Sequence, residues 1–428
     1  MNIEHHLIEN PHPLEVNIKR LPLSYEISYN QLNKNTKPVF VIHGYGMYVE
    51  DEYMKSIGET LCKDNNVAII TLNYVGTFMK RSNIIKNKYP YVNEKNEFLS
   101  QESEEYLIKV IDSIKEAPEH YTKYLKEMGY LEDVADMRCA IKALTLLKQK
   151  ILQKRVDALH VQERLFELNF KKSLIPLRHS VEGDHQDFGF IQAIDILTVF
   201  ADIKNSETFE NISWHLASIV GSSHGGYLAS MCNKLAPNTF SSVVDSCGWL
   251  EPTNDVSDIA FTSGFGGMGF ASYEENYWSD DEKHENFFSK NNFEIRKLDK
   301  IEHLRAFKKQ QIKANNYFCI HTSNDTLIPI ASKDSFIQLC HNNNIPVDYL
   351  RLQNSSQLSK TFKSLDHGAK ASLKGLVYDY ILNNNKTATA IEKNDFELKS
   401  EINYTCSEGI YTISFKEKYP KVTWTPSS

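Results

Sequence analysis

Trp214-His215-Leu216-Ala217-Ser218-Ile219-Val220-Gly221-Ser222-Ser223-His224-Gly225-Gly226 is the stretch on which the reading of this chain turns. Its first half is an apolar run of strand length, and predicts a strand over 214–220. The run passes directly into Gly221-x-Ser223-x-Gly225, and a helical pattern continues to Leu235, stopping before Pro237. A serine at such a strand-to-helix turn has a steric logic. The turn is tight, so only small residues fit on either side of the serine. It also lifts the hydroxyl above the sheet at the start of a helix, where negative charge is favoured. Gly-x-Ser-x-Gly by itself is a weak signal, since both residue types are common in loops. Its flanks give it meaning here.

Outward from this turn, strand-like apolar runs alternate with helical patterns, as in a parallel sheet covered on both faces. Upstream lie a strand at Pro38–Ile42, ending in His43-Gly44-Tyr45-Gly46, a helix around 53–62 and a strand at Val67–Leu72. A helix over 188–203 sets Ile191, Ile194, Leu197 and Ala201 on one side. Downstream, strands are expected at 242–246, 317–321 and 347–352, with helices at 332–340 and 370–382. The expected class is α/β, an α/β-hydrolase fold with a mostly parallel central sheet, helices on both faces, a large helical insertion and a short C-terminal β hairpin.

The insertion is inferred from a change of texture. From about 80 to 187 the strand signal disappears, and Asp133 to Lys172 contains neither glycine nor proline. Ala140, Leu144, Leu147 and Ile151 recur at amphipathic-helix spacing. As one helix the stretch spans about 60 Å, so a helical hairpin is an equal reading. The organisation expected is therefore an N-terminal part of the core (1–79), a helical insertion or cap (80–187), the rest of the core (188–392) with a loop-rich cap segment at 251–292, and a C-terminal β extension (393–428). The alternation of Tyr411, Ile413 and Phe415 predicts the hairpin in that extension.

A serine hydroxyl is a poor nucleophile without a base and an orienting acid, and this fold supplies them in the chain order serine, acid, histidine. Asp325 follows the strand ending His321-Thr322, and His367 follows the last expected strand. Ser223, Asp325 and His367 are thus the expected catalytic set, His367 as general base and Asp325 as its orienter. Asp366 is the alternative acid, read as a turn residue because it adjoins His367. Two backbone N–H groups should face a developing oxyanion: that of His224, after the nucleophile, and that of Tyr45, with Gly46 as second choice. His43, Gly46, Tyr273 and Trp278 are assigned to substrate binding. For His43 a structural loop histidine is an equal reading, and for Tyr273, Tyr277 and Trp278 packing is slightly favoured over lining a pocket. His321 reads as a structural histidine, and His5, His6 and His12 as solvated terminal residues. No metal-ligand cluster and no nucleotide motif is visible, so neither a metal nor another cofactor is expected.

The formal net charge of −7 argues against a nucleic-acid partner and does not favour a membrane surface. The seven cysteines are odd in number and show no Cys-x-x-Cys spacing, which reads as reduced, buried thiols. The N-terminus shows no signal-peptide pattern, and no apolar run approaches a membrane span. A cytoplasmic location is expected. The insertion either packs across a two-fold axis in a homo-oligomer or docks on its own sheet.

Gly221-Ser222-Ser223-His224-Gly225-Gly226-Tyr227 resembles the elbow of prolyl-oligopeptidase-like serine hydrolases. Over more of the chain, Asp187-Phe188-Gly189, Gln192-Ala193, Lys234-Leu235-Ala236-Pro237 and Val243-Val244-Asp245-Ser246 resemble a family of uncharacterised bacterial α/β-hydrolase-like proteins associated with flagellin and surface-glycan modification loci. That resemblance implies a serine hydrolase acting on a small-molecule or glycan ester. His224 stands where related elbows carry tyrosine, which changes a side chain but keeps the backbone donor. The competing expectations are a peptidase of short peptides and a binding protein that keeps the fold without catalysis.

Overall fold

In the computed structural model the described residues are 1–17, 20–44, 49, 52–76, 187–252, 260–265, 268–273, 278, 282–283, 285–383 and 390–427. The expected insertion at 80–187 lies outside them apart from Asp187, and so does its Asp133–Lys172 run. The chain divides into two compact units, one comprising Met1–Phe78, Glu182–Ser257 and Tyr277–Ser428, the other Met79–Val181 and Asp258–Asn276.

In the first unit the strands are β1 (Asn2–Ile8), β2 (Leu23–Tyr29), β3 (Lys37–Ile42), β4 (Val67–Asn73), β5 (Ser218–Ser222) and β6 (Ser242–Ser246). In the second unit β7 (Ala260–Phe265) and β8 (Met268–Tyr273) form an antiparallel hairpin. The first unit continues with β9 (Asn316–Thr322) and β10 (Asp348–Leu352). Its eight-stranded sheet runs β1-β2-β4-β3-β5-β6-β9-β10. β2 is antiparallel to both neighbours, while the β4-β3-β5-β6-β9-β10 ladder is parallel throughout. A mostly parallel sheet with this crossover order is the α/β-hydrolase fold.

The helices are α1 (Glu52–Asp64), α2 (Phe190–Lys204), α3 (His224–Leu235), α4 (Lys290–Arg296), α5 (Ile301–Gln310), α6 (Ile330–Asn342), α7 (Leu373–Val377) and α8 (Asp395–Leu398). Successive strand residues face opposite sides, and both sides are apolar. Val39, Val41, Ile69 and Val220 share a core with Met54, Ile57 and Leu61 of α1 and with Leu373 and Leu376 of α7. Phe40 points the other way, where its ring stacks on Phe200 of α2 at 5.8 Å. α2 is apolar nearly all round, and all but two of its residues are buried. α3 is buried along its whole length. α2 and α3 pack on each other, and α3, which follows Ser223, lies against β5 and β6.

The strand leading to the serine starts later than its sequence suggests. Trp214–Leu216 is a 3-10 turn, closed by the Leu216 and Ala217 amides on the Ser213 and Trp214 carbonyls, and the Trp214 indole N–H donates to the Phe209 carbonyl at 2.8 Å. β1 and β2 were not expected at all. β1 is an edge strand whose residues are mostly exposed, so it shows no apolar run. His6 lies within it, its ring stacked on Tyr25 at 4.9 Å. His12 accepts the Val422 amide at 3.2 Å. Neither is the solvated terminal residue expected. The β7–β8 hairpin falls in the expected loop-rich segment 251–292, where frequent glycine hides any alternation, and α4 begins at its end.

The expected C-terminal hairpin lies within a three-stranded antiparallel sheet: β11 (Glu401–Thr405), β12 (Gly409–Ser414) and β13 (Lys421–Pro426). The alternation buries Ile402 and Tyr404 on β11, Tyr411 and Ile413 on β12, and Phe415 just past its end. β13 is exposed along most of its length, so its sequence carries no core signal. Cys62, Cys232, Cys247, Cys319, Cys340 and Cys406 are all free and buried. Among the described residues no helix is long and apolar enough to cross a membrane.

Candidate active site

β5 ends at Ser222 and α3 begins at His224, which leaves Ser223 alone in the turn. Its backbone has φ 56 and ψ −124, a conformation that side-chain-bearing residues adopt only when their surroundings enforce it. Here the Ser223 amide donates to the Ser246 carbonyl at the end of β6 (2.8 Å), and its carbonyl accepts the Tyr227 amide (3.1 Å). The flanking glycines are a packing requirement. A Cβ on Gly221 would lie 2.0 Å from the Gly225 carbonyl oxygen, and one on Gly225 would lie 2.3 Å from that of Ile42. The loop after β3 closes against the same turn, since a Cβ on Gly44 would be 3.8 Å from Ser223 Cβ.

Three side chains far apart in sequence meet here. Ser223 Oγ is 2.7 Å from His367 Nε2, and His367 Nδ1 is 2.8 Å from Asp325 Oδ2. Asp325 sits in the turn after β9, with Oδ1 accepting the Leu327 amide at 3.0 Å and the Ile328 amide at 2.9 Å. Burial pushes its carboxyl up, but the His367 hydrogen bond and charge outweigh that and hold it below the usual carboxylate range. The Asp325 side chain is fully buried, whereas that of His367 keeps 16% of its exposure. An ionised Asp325 accepts a hydrogen bond from the Nδ1–H, which leaves the Nε2 lone pair for the serine hydroxyl. This line can take a proton from Ser223 and stabilise the imidazolium that results. Asp366 is instead a turn residue: its amide and carboxylate both bond Ser364 Oγ.

The two oxyanion donors stand differently. His224 is the first residue of α3, so its amide lies at the helix start beside Ser223. Tyr45 and Gly46 lie outside the described residues. The His224 side chain was not read as anything more than a replacement, yet its Nε2–H donates to Gln192 Oε1 at 2.8 Å. Burial, then the neighbouring His43 charge, pushes its pKa down to about 3, so the ring is neutral. Gln192 Nε2 donates in turn to the Val75 carbonyl at 2.7 Å, and Asp195 one turn along α2 accepts the Val75 amide at 3.0 Å. Helix α2 thus holds both the exit of β4 and the residue after the serine.

His43 is buried, its ring stacked on Tyr74 at 4.6 Å. That placement favours the structural reading over a substrate contact. Trp278 is buried edge-on to Phe288 at 5.0 Å, with the Arg296 guanidinium 5.5 Å from its ring centre. It packs in the Arg296 cluster. Tyr273 closes β8 in the second unit. His321 is structural, its Nε2–H donating to the Ile328 carbonyl at 2.9 Å.

Sequence reading also missed a buried ion pair behind the turn. Lys333 Nζ of α6 donates to Asp245 Oδ2 at 3.0 Å and to the Gly248 carbonyl at 2.7 Å, while Asp245 Oδ1 accepts the Gly248 amide at 2.7 Å. Asp245 inside the apolar Val243-Val244 strand was the available signal. Donor atoms of Cys247, His321 and Asp325 also come within 4.8 Å of one another. They do not suit a metal. Both Asp325 oxygens are engaged, His321 Nε2 is bonded to a carbonyl, and burial followed by the Asp325 charge pushes the Cys247 thiol up to about 12.

The fold and this geometry define the chain as an α/β-hydrolase-fold protein with a serine–histidine–aspartate arrangement at its strand-to-helix turn. It belongs to the family described as Protein of unknown function (DUF2920), whose model matches residues 4–423. Among curated proteins none matches the sequence. Solved structures similar to it include Est1E from Butyrivibrio proteoclasticus, with 10% identity over 87% of this chain and 93% of that one and a TM-score of 0.36. Pyrococcus horikoshii acylaminoacyl peptidase has 11% identity over 90% of this chain and 43% of that one, with a TM-score of 0.41. An alpha-beta serine hydrolase homologue from Coxiella burnetii has 8% identity over 88% and 94%, with a TM-score of 0.34.

Proposed function

We propose that this protein is a serine hydrolase that cleaves a carboxylic ester through an acyl-enzyme. The observation that carries the reading is the unbroken line from Ser223 Oγ through His367 to Asp325, at 2.7 and 2.8 Å, on a serine held at positive φ. In the first step His367 Nε2 takes the Ser223 proton as Oγ attacks the ester carbonyl. The oxyanion is met by the His224 amide and by a second N–H from the loop after β3, assigned to Tyr45. Collapse of the tetrahedral intermediate expels the alcohol, which receives the proton from His367. Water, deprotonated by the same nitrogen, then attacks the acyl-serine, and the acid is released as His367 returns that proton to Ser223 Oγ. Asp325 keeps the imidazole in the required tautomer throughout, and no cofactor takes part.

The finer reading is an O-acyl group on a bacterial surface sugar, and it rests on the family resemblance of the sequence. The test is labelling with a fluorophosphonate probe, followed by turnover of acetylated sugars, p-nitrophenyl acyl esters and aminoacyl-nitroanilides. Wild-type labelling that disappears in Ser223→Ala is expected, with esters preferred over anilides. A wild-type chain that resists the probe would reduce the protein to a binding module. Preferential cleavage of the anilides would make it a peptidase.

A further inference from the structure

A cleft of about 520 Å³ is lined by none of the residues in the Ser223 line. That volume is within the range of small-molecule sites. It lies between the N-terminal loop at 12–15, the start of α4 and one face of β12 and β13.

Strand register explains its aromatic wall. Tyr404 pairs with Tyr411, and Tyr411 with Trp424, so the three side chains turn to the same face. On β11 and β12 that face is covered, but on the edge strand Trp424 remains 39% exposed. A Cβ on Gly409 would lie 2.6 Å from the indole carbons, so glycine there is what lets the ring lie down on β12. Trp424 also meets Tyr411 at 4.7 Å.

The polar groups of the cleft are fixed from behind. Glu15 Oε1 accepts from Asn292 Nδ2 at 2.9 Å and from the Tyr411 hydroxyl at 3.1 Å, and its other oxygen pairs with the fully buried Arg296. The Glu408 amide donates to Asn291 Oδ1 at 3.0 Å, and Asn291 Nδ2 returns a bond to the Glu408 carboxylate. His12 donates from Nδ1 to the Pro13 carbonyl and accepts at Nε2, which makes it a neutral ring. Among the described lining residues there is no Lys or Arg. An anion would therefore meet two carboxylates, the guanidinium behind them, that of Arg296, being already paired with Glu15 and Asp187. A wholly apolar ligand would strip those carboxylates of water without compensation. A neutral ring bearing several hydroxyls satisfies both walls. Its O–H groups donate to carboxylates that can only accept, and its C–H face covers the indole.

We propose that this cleft binds a neutral saccharide of one or two rings, laid on Trp424 with hydroxyls donating to Glu408 and Glu15. The inference is independent of the ester-cleavage reading. Trp214, Trp249 and Trp278 are buried, so Trp424 is the exposed tryptophan whose emission reports occupancy. The experiment titrates the full-length Ser223→Ala chain with glucose, galactose, N-acetylglucosamine, maltose and cellobiose, and separately with tetramethylammonium. A saturable emission change with at least one saccharide is expected. It should vanish in Trp424→Leu and weaken about tenfold in Glu408→Gln, as loss of a charge-assisted hydrogen bond predicts. Circular dichroism verifies that both surface variants are folded. The proposal is overturned if no saccharide gives a saturable change, if the change survives in Trp424→Leu, or if tetramethylammonium alone saturates the site. Ser223 labelling plays no part in the readout, so failure of the hydrolase reading leaves this result unaffected.

Discussion

Asp325 divides its work between its two oxygens. One holds the turn by accepting two amides, and the other holds His367. Asp325→Asn keeps the shape but loses the charge and presents the imidazole with an ambiguous partner. In the proposed mechanism the rate of fluorophosphonate labelling should fall by about 10²–10⁴, and His367→Ala should be at least as damaging. A near-normal rate in Asp325→Asn would transfer the acid's role to another carboxylate. The same residue carries a stability signature. Its folded pKa is depressed, so its contribution is present above the unfolded value of about 4 and is lost as pH falls through the folded one. Ser223, Asp325 and His367 were legible in the sequence because each follows a strand in the order the fold imposes. Gln192 was not legible as a partner of His224, because nothing local to a buried helix announces which of its side chains is polar for a reason. The oxyanion assignment to Tyr45 stands on loop position alone.

At the scale of elements, the buried Lys333–Asp245 pair fastens α6 to the end of β6, the strand whose Ser246 carbonyl holds the Ser223 amide. Both side chains are fully buried. Removing one partner of such a pair strands the other without compensation, so Lys333→Met should cost about 3–5 kcal/mol. Adding Asp245→Asn to that variant should recover much of the loss, since the amide still reaches the Gly248 amide and leaves no orphaned charge. Urea midpoints at constant m-value would measure the cycle. Strictly additive losses would mean that the two side chains are not coupled. Sequence patterns found the central strands because buried parallel strands are continuous apolar runs, as Val39 to Ile42 are. They missed β1 and β13 because edge strands with exposed faces carry polar residues, and a strand is then indistinguishable from a loop. Lys333 escaped for a related reason: a lysine on a helix reads as surface, and its countercharge is 88 residues away.

For the whole molecule, the C-terminal sheet is joined to the core through buried groups. His303 of α5 donates from Nε2 to the Thr405 carbonyl at 3.0 Å and packs edge-on to Tyr404 at 5.2 Å. Alternation at Tyr411, Ile413 and Phe415 was enough to predict strands there, whereas the long-range seam with α5 leaves no trace in local periodicity. That seam makes global stability respond to acid. Burial, and next the nearby Lys234 charge, push the His303 pKa down to about 2. The folded chain therefore keeps this ring neutral, while the unfolded chain protonates it below about 6.5. The unfolded state then binds the additional proton, so this residue's effect on stability worsens as pH falls below that value, by about 1.4 kcal/mol per unit. His303→Gln retains an N–H donor for Thr405 and cannot titrate. Relative to wild type, the variant should gain about 2 kcal/mol between pH 7.5 and pH 5.0, whatever its fixed packing cost at neutral pH. Urea unfolding of both chains at the two pH values reads this difference directly. An offset that stays constant across them would show that the histidine is protonated alike in the folded and unfolded chain, and that the seam is not the dry contact described.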